Sequence, residues 1–260
     1  MTAPSYLDTL STAAVTAWLR DAMHGQVPLD RLAPDEYPYI AVLRLELRLQ
    51  RSTRTDLEHA CRALILELTR APEACDADYS DNLLRLAVGL RLDDLTQPLA
   101  LLAEQPALTH TLRRRVLAAL IDLRLPQPST FWDRIFDRIG EELTDDTLRL
   151  AITTFSGLLA SSREQAIARL PKMPDHPRVA DSLVGAFDGL LSELHEPMRS
   201  ELLLSVRNIL PRCGPALRRS LIEWLQDHNF PANDRDYRKV DALLRRVNGE
   251  FRPTPCSARL

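Results

Sequence analysis

Leucine returns along this chain in a helical beat with a period near 35 residues, from about residue 83 to residue 225. The segment starts at Thr109, Thr144, Pro177 and Pro215 lie 35, 33 and 38 residues apart. Each period holds two apolar runs of helical spacing joined by a short polar turn. One such helix pair cannot bury its own apolar stripe, so neighbouring pairs must stack. Leucine fills 48 of the 260 positions and glycine only 8, so good helix formers run long with few interruptions. The beat predicts an all-α fold, an α-solenoid of stacked antiparallel helix pairs.

Composition supports a core of this kind. Hydrophobic residues make up 45% of the chain and aromatics only 5%, so leucine, alanine and valine must fill the interior. The 18 prolines fall mostly between periodic segments, where they end helices without needing a backbone donor.

Helix starts and stops follow from the caps. Ser11 or Thr12 opens a first helix over residues 11–23, and Gly25 closes it. Residues 27–38 form a proline-bearing connection. Leu43, Leu45, Leu47 and Leu49 alternate with polar residues, which in isolation is a strand pattern. No second comparable strand exists to pair with it, so these residues are expected to be helical and covered on more than one side. An edge strand pairing with another molecule is the alternative. Thr55 and Glu58 have capping-box spacing, and that helix should end near Pro72. Residues 73–80 are expected to be a loop.

Further on, Asp93 and Asp94 precede a helix, Thr109 or Thr111 opens the next, and Ser129 or Thr130 another. Thr144, Asp145 and Asp146 cap the run to Leu159. Ser161 and Glu164 form a second capping-box pair. Pro177, Pro197 and Pro215 suit first helical positions, and a last helix is expected over residues 236–247. The expected organisation is an N-terminal helical cap (1–75), helical repeats (76–250) and a short tail (251–260), as one continuous domain.

The runs Arg115-Val116-Leu117-Ala118-Ala119-Leu120, Leu148-Arg149-Leu150-Ala151-Ile152, Arg178-Val179-Ala180-Asp181-Ser182-Leu183 and Leu204-Ser205-Val206-Arg207-Asn208-Ile209-Leu210 resemble the inner helices of HEAT/armadillo repeats. The resemblance covers about residues 80–228. The Asp and Arg that recur at fixed positions in that class do not recur cleanly here. The resemblance implies a curved, right-handed superhelix whose concave face binds a protein or a nucleic acid.

No motif carries chemistry. The six histidines form neither His-x3-His nor His-Glu-x-x-His spacing, so no local metal site is expected. The eight glycines make no phosphate-binding loop and no nucleophile elbow, and no cofactor is expected. Asp93-Asp94 and Asp145-Asp146 sit at helix starts, where negative charge favours the dipole. Cys61, Cys75, Cys213 and Cys256 are scattered and do not read as a disulfide framework. Residues 1–10 lack a basic and apolar leader, and no apolar stretch is long enough to span a bilayer. A cytoplasmic, bacterial protein is expected, and the preference for arginine over lysine fits a GC-rich genome: only Lys172 and Lys239 are lysine among 33 basic residues.

Charge is uneven. Residues 1–198 hold 21 basic and 29 acidic side chains, and residues 199–260 hold 12 and 7, a change from −8 to +5. That asymmetry suits a protein partner with an acidic surface. The candidate contacts are Arg218, Arg219, Arg245 and Arg246, with Trp132 of the Phe131-Trp132 cluster as an aromatic anchor or else a core residue. Arg113-Arg114-Arg115 could add to a basic surface.

Nucleic-acid binding is a second reading. The alkylpurine DNA glycosylases share HEAT-like repeats and place a tryptophan and an aspartate on one helical turn, lining a cleft with an arginine. Here Trp18 precedes Asp21 by three, Trp132 abuts Asp133, and Trp224 precedes Asp227 by three. None has the four-residue spacing, and the chain is acidic overall. A structural homo-oligomer is a third reading, resting on the pattern at residues 43–50. The expected function is therefore an adaptor, regulator or inhibitor, without catalytic residues, that binds a protein partner.

Overall fold

The computed structural model describes residues 6–26, 37–139 and 142–228. Among these residues every regular element is helical, with twelve α-helices, short 3-10 turns and no strand. No helix among them is long and apolar enough to cross a membrane. Contacts divide the chain into two compact units, residues 1–157 and 158–260.

The first unit holds α1 (Thr12–Met23), α2 (Pro38–Glu46), α3 (Arg51–Arg70), α4 (Ala77–Gly89), α5 (Thr96–Ala103), α6 (His110–Asp122) and α7 (Ser129–Phe136). The division falls within α8 (Asp145–Ser161). The second unit holds α9 (Arg163–Arg169), α10 (Pro177–Glu193), α11 (Met198–Ile209) and α12 (Pro215–Asp227).

Polar side chains start these helices by accepting from otherwise unpaired N–H groups. Ser11 accepts from Ala14, Asp76 from Asp78 and Tyr79, Thr109 from Leu112, and Ser162 from Gln165. Pro177 and Pro215 sit in the first turns of α10 and α12, where a missing N–H costs nothing. Gly25 follows α1 at φ +70, a conformation that glycine adopts without a Cβ penalty.

Packing alternates. In the first unit α1 packs on α3 and α3 on α5, while α2 packs on α4 and α4 on α6. In the second unit α9 packs on α11 and α10 on α12. Sequence neighbours α3/α4, α5/α6 and α11/α12 form hairpins between the two rows. Leucines at helical spacing supply the buried faces: Leu64, Leu83, Leu86, Leu120, Leu150, Leu183 and Leu221 are all fully buried.

Several local expectations differ from the structure. Residues 43–46 of the expected 43–50 helix are helical, but α2 starts already at Pro38 and ends at Glu46, and the two leucines beyond it differ in cover. Leu47 is 73% exposed and Leu49 is buried. Thr55 and Glu58 cap nothing, because α3 already starts at Arg51. The Thr55 hydroxyl donates to the Arg51 carbonyl instead. The start of α3 is held by Asp8, which accepts from the Gln50 N–H at 3.3 Å and the Thr53 hydroxyl at 2.5 Å. Ser161 belongs to α8, and its neighbour Ser162 is the cap of α9.

Residues 73–80 are not a loop throughout. The carboxylate of Asp76 starts α4 at Ala77, which buries Tyr79 and Ser80. Pro197 precedes α11 rather than opening it. The expected helix at 236–247 and the expected tail lie outside the described residues.

Candidate functional site

Three consecutive arginines build the most distinctive site. Residues on a helix are about 100° apart, so Arg113, Arg114 and Arg115 of α6 cannot share a face. Arg113 turns inward and is 2% exposed. Its guanidinium donates to the carbonyls of Ala103 (2.9 Å) and Gln105 (2.6 Å), closing the C-terminal end of α5. Burial pulls its pKa below the ordinary guanidinium value, and Arg138 adds to that. Arg115 turns toward α4, where it donates to the Ala77 carbonyl and sits 3.4 Å from Asp81.

Arg114 turns into a groove of about 430 Å³ between α2, α4 and α6. It is half-buried, and its Nε is closed to solvent and meets no acceptor among the described residues. A buried donor left without a partner costs about 1–3 kcal/mol.

The groove floor is apolar. Leu84 and Val88 of α4, Leu43 of α2, and Ala118 and Ala119 of α6 line it. Gly89 lets α2 approach α4 here, because a Cβ at that position would overlap the Leu43 side chain. Charges rim the floor. Arg85 bonds Asp81 at 2.9 Å and lies over the rings of Tyr37 and Tyr39, 5.7 and 5.6 Å from their centroids. Asp122 ends α6 at the groove edge. Burial among neighbouring groups pushes its carboxyl above the usual carboxylate range, while Arg85 pulls the other way. An apolar concavity with a few convergent polar groups and a shifted titratable residue is the common form of a ligand site.

The residues singled out from sequence have other placements. Trp132 is 2% exposed, packed edge-on to Phe131 at 5.0 Å and against Gly157. It is a core residue and presents no surface to a partner, because α7 turns its whole aromatic face inward. Arg218 is engaged internally, donating to the carbonyls of Leu210 (3.2 Å), Pro211 (3.2 Å) and Cys213 (2.6 Å). Arg219 is exposed. Arg245 and Arg246 lie outside the described residues. The structure therefore does not bring the predicted set together among the residues it describes.

A second groove, of about 670 Å³, lies between α10 and α12 in the second unit. Trp224, Asp227 and Arg199 all line it, with Asp181, Asp188 and Glu223. The indole is 3% exposed, and its Nε1–H donates to Asp188 at 2.6 Å. The ring is thus closed to a stacking base, and the four carboxylates repel a phosphate backbone.

Among the described residues, no group of three or more His, Cys, Asp or Glu side chains is placed to hold a metal ion. Cys61 is fully buried, and burial pushes its thiol up to about 12, which suppresses the nucleophilic thiolate. The signal for the first groove was present in the sequence as the arginine triplet, but its division into three directions needs the neighbours of α6. No family model matches this chain, and no curated protein or solved structure matches it.

Proposed function

We propose that this chain is a macromolecular interaction protein, an adaptor, regulator or inhibitor, that binds a protein partner in the groove between α2, α4 and α6. The observation that carries the reading is Arg114, a guanidinium held half-buried over an apolar floor with no internal partner for its buried Nε. Among the described residues, four other buried side-chain nitrogens share this lack of a hydrogen-bond acceptor, those of Gln127 and Arg138 among them, but Arg114 is the one of the five that lines the apolar groove. The alternation of packing between every second helix within each unit supports the companion proposal that the helix pairs stack as in an α-solenoid, whose right hand is what the HEAT resemblance implies. Free thiols at Cys61, Cys75 and Cys213, together with the arginine-rich composition, support a bacterial cytoplasmic setting.

A photo-crosslinking amino acid placed at Ala118 tests the reading. The expected result is a defined protein crosslinked from position 118 and not from position 204, whose exposed leucine lies in the other unit. Identical products from both positions, or none from 118, would remove the groove as the binding site.

The nucleic-acid reading has one observation in its favour, the shared lining of the second groove by Trp224, Asp227 and Arg199. The closed indole and the surrounding carboxylates count against it. Retention of random duplex DNA at ~0.15 M salt, where loose charge attraction is screened, would move it ahead. The homo-oligomer reading loses its basis, because residues 38–46 are helical and the turn after them leaves no free strand edge.

A further inference from the structure

We infer that the α2/α4/α6 groove reads a carboxylate: Arg114 takes an aspartate or glutamate side chain of a partner segment, and Leu43, Leu84 and Val88 take the apolar side chain beside it. The inference rests on the reading of this groove as the partner site and names the chemistry of its occupant.

The charges select the ligand. Arg85 and Arg115 are already bonded to Asp81, so neither guanidinium is free for an arriving anion. Among the described residues, the Arg114 Nε meets no acceptor that an arriving anion would have to displace. A planar guanidinium matches one carboxylate in a forked pair, and the apolar surroundings strengthen that pair relative to open water. A nucleic-acid backbone needs a stripe of free cations to neutralise several phosphates. Among the described residues the groove offers one that is not already paired, and Asp81 and Asp122 line the same groove. The floor also needs an apolar group to fill it, which a polynucleotide backbone lacks. A protein segment that carries an acidic and an apolar side chain in succession meets both demands.

The test uses the full chain and an array of capped hexapeptides in which glutamate or aspartate alternates with leucine or phenylalanine. Each stands beside its glutamine or asparagine counterpart. Binding of the selected peptides is then measured in solution for the wild type, Arg114→Gln, Ala118→Trp and, as a control at an exposed arginine, Arg212→Gln. Far-UV circular dichroism checks that each variant is folded, and Arg114→Met replaces Arg114→Gln if the latter is not.

The expected result is that selected peptides lose about tenfold or more in affinity when their carboxylates become amides, as a charge-assisted pair requires. Arg114→Gln should bind both forms alike, at the weaker level, and Arg212→Gln should match the wild type. Ala118→Trp, which fills the groove, should bind neither. If Arg114→Gln keeps the preference for carboxylate while Ala118→Trp abolishes binding, the groove remains the partner site and the role of Arg114 falls. If Ala118→Trp binds as the wild type does, the groove reading fails as well. An array with no bound peptide would overturn the inference. So would a single-stranded 12-mer DNA probe that binds the wild type and is lost in Arg114→Gln.

Discussion

Arg113 and Arg218 occupy the same place in their hairpins. Each is the fourth residue of its helix, α6 or α12, and each reaches back to the carbonyls that end the helix before it. The last carbonyls of a helix lack intrahelical partners, and a guanidinium supplies several donors at once. Arg113→Ala should therefore cost about 2–3 kcal/mol, since hydrogen bonds to a charged group carry about that much and the bond to the Ala103 carbonyl is buried. The more exposed Arg218→Ala should cost about 1 kcal/mol. Urea unfolding of the two variants checks the order. Lysine at 113 should not restore stability, because an ammonium lacks the planar fork.

Gly157 lies under the Trp132 ring, and a methyl group there would overlap it. Alanine is favoured over glycine in a helix by about 1 kcal/mol, which alone would make Gly157→Ala stabilising. Overpacking a core costs about 1–3 kcal/mol, and the buried indole also packs edge-on with Phe131. The clash should win. A thermal midpoint for Gly157→Ala at or above that of the wild type would show that the ring can move away.

Leu150 and Leu183 are both fully buried, one in each unit. Truncating either to alanine removes its buried methyl groups and leaves a cavity, so a loss of about 2–5 kcal/mol is expected for each. Losses below about 1 kcal/mol at both sites would mean that these helices carry little of the core.

Arg114→Met should stabilise the folded chain by about 1 kcal/mol. It keeps an apolar stem in the groove and removes a buried donor that has no partner. A variant that gains stability while losing its partner is the signature of a binding residue. Destabilisation on chemical unfolding would show that the guanidinium contributes to the fold.

Asp122 has a folded-state pKa above its ordinary value of 3.8, through burial. The folded chain therefore holds that proton more tightly than the unfolded chain. Its favourable contribution is present in full below pH 3.8 and is lost as pH rises through the folded value. At pH 7 the ionised group opposes folding, and its place at the C-terminal end of α6 adds an unfavourable interaction with the helix dipole. Asp122→Asn should raise the urea midpoint at pH 7, with the gain shrinking as the pH falls toward 3.8. A gain that grows in acid would reverse the assignment.

The helices themselves were legible in the chain. Ser11, Thr109, Pro177 and Pro215 mark starts that the structure keeps, because a cap acts on N–H groups only two or three residues away. The buried leucines were legible too, since helical spacing alone decides which residues share a stripe. The start of α3 failed because a distant residue intervened. The carboxylate of Asp8 starts α3 four residues before the apparent capping threonine, Thr55, and no local pattern contains that contact.

The candidate site belongs to the tertiary structure. In sequence Arg113, Arg114 and Arg115 are one basic patch. In the fold the first closes the end of α5, the third pairs with α4, and only the second faces a groove. Sequence alone determined that three successive helical residues must diverge, because the helix turns about 100° at each step. Which of them would find a partner depended on where α4 and α5 packed against α6, and that was decided by buried leucines far from the arginines.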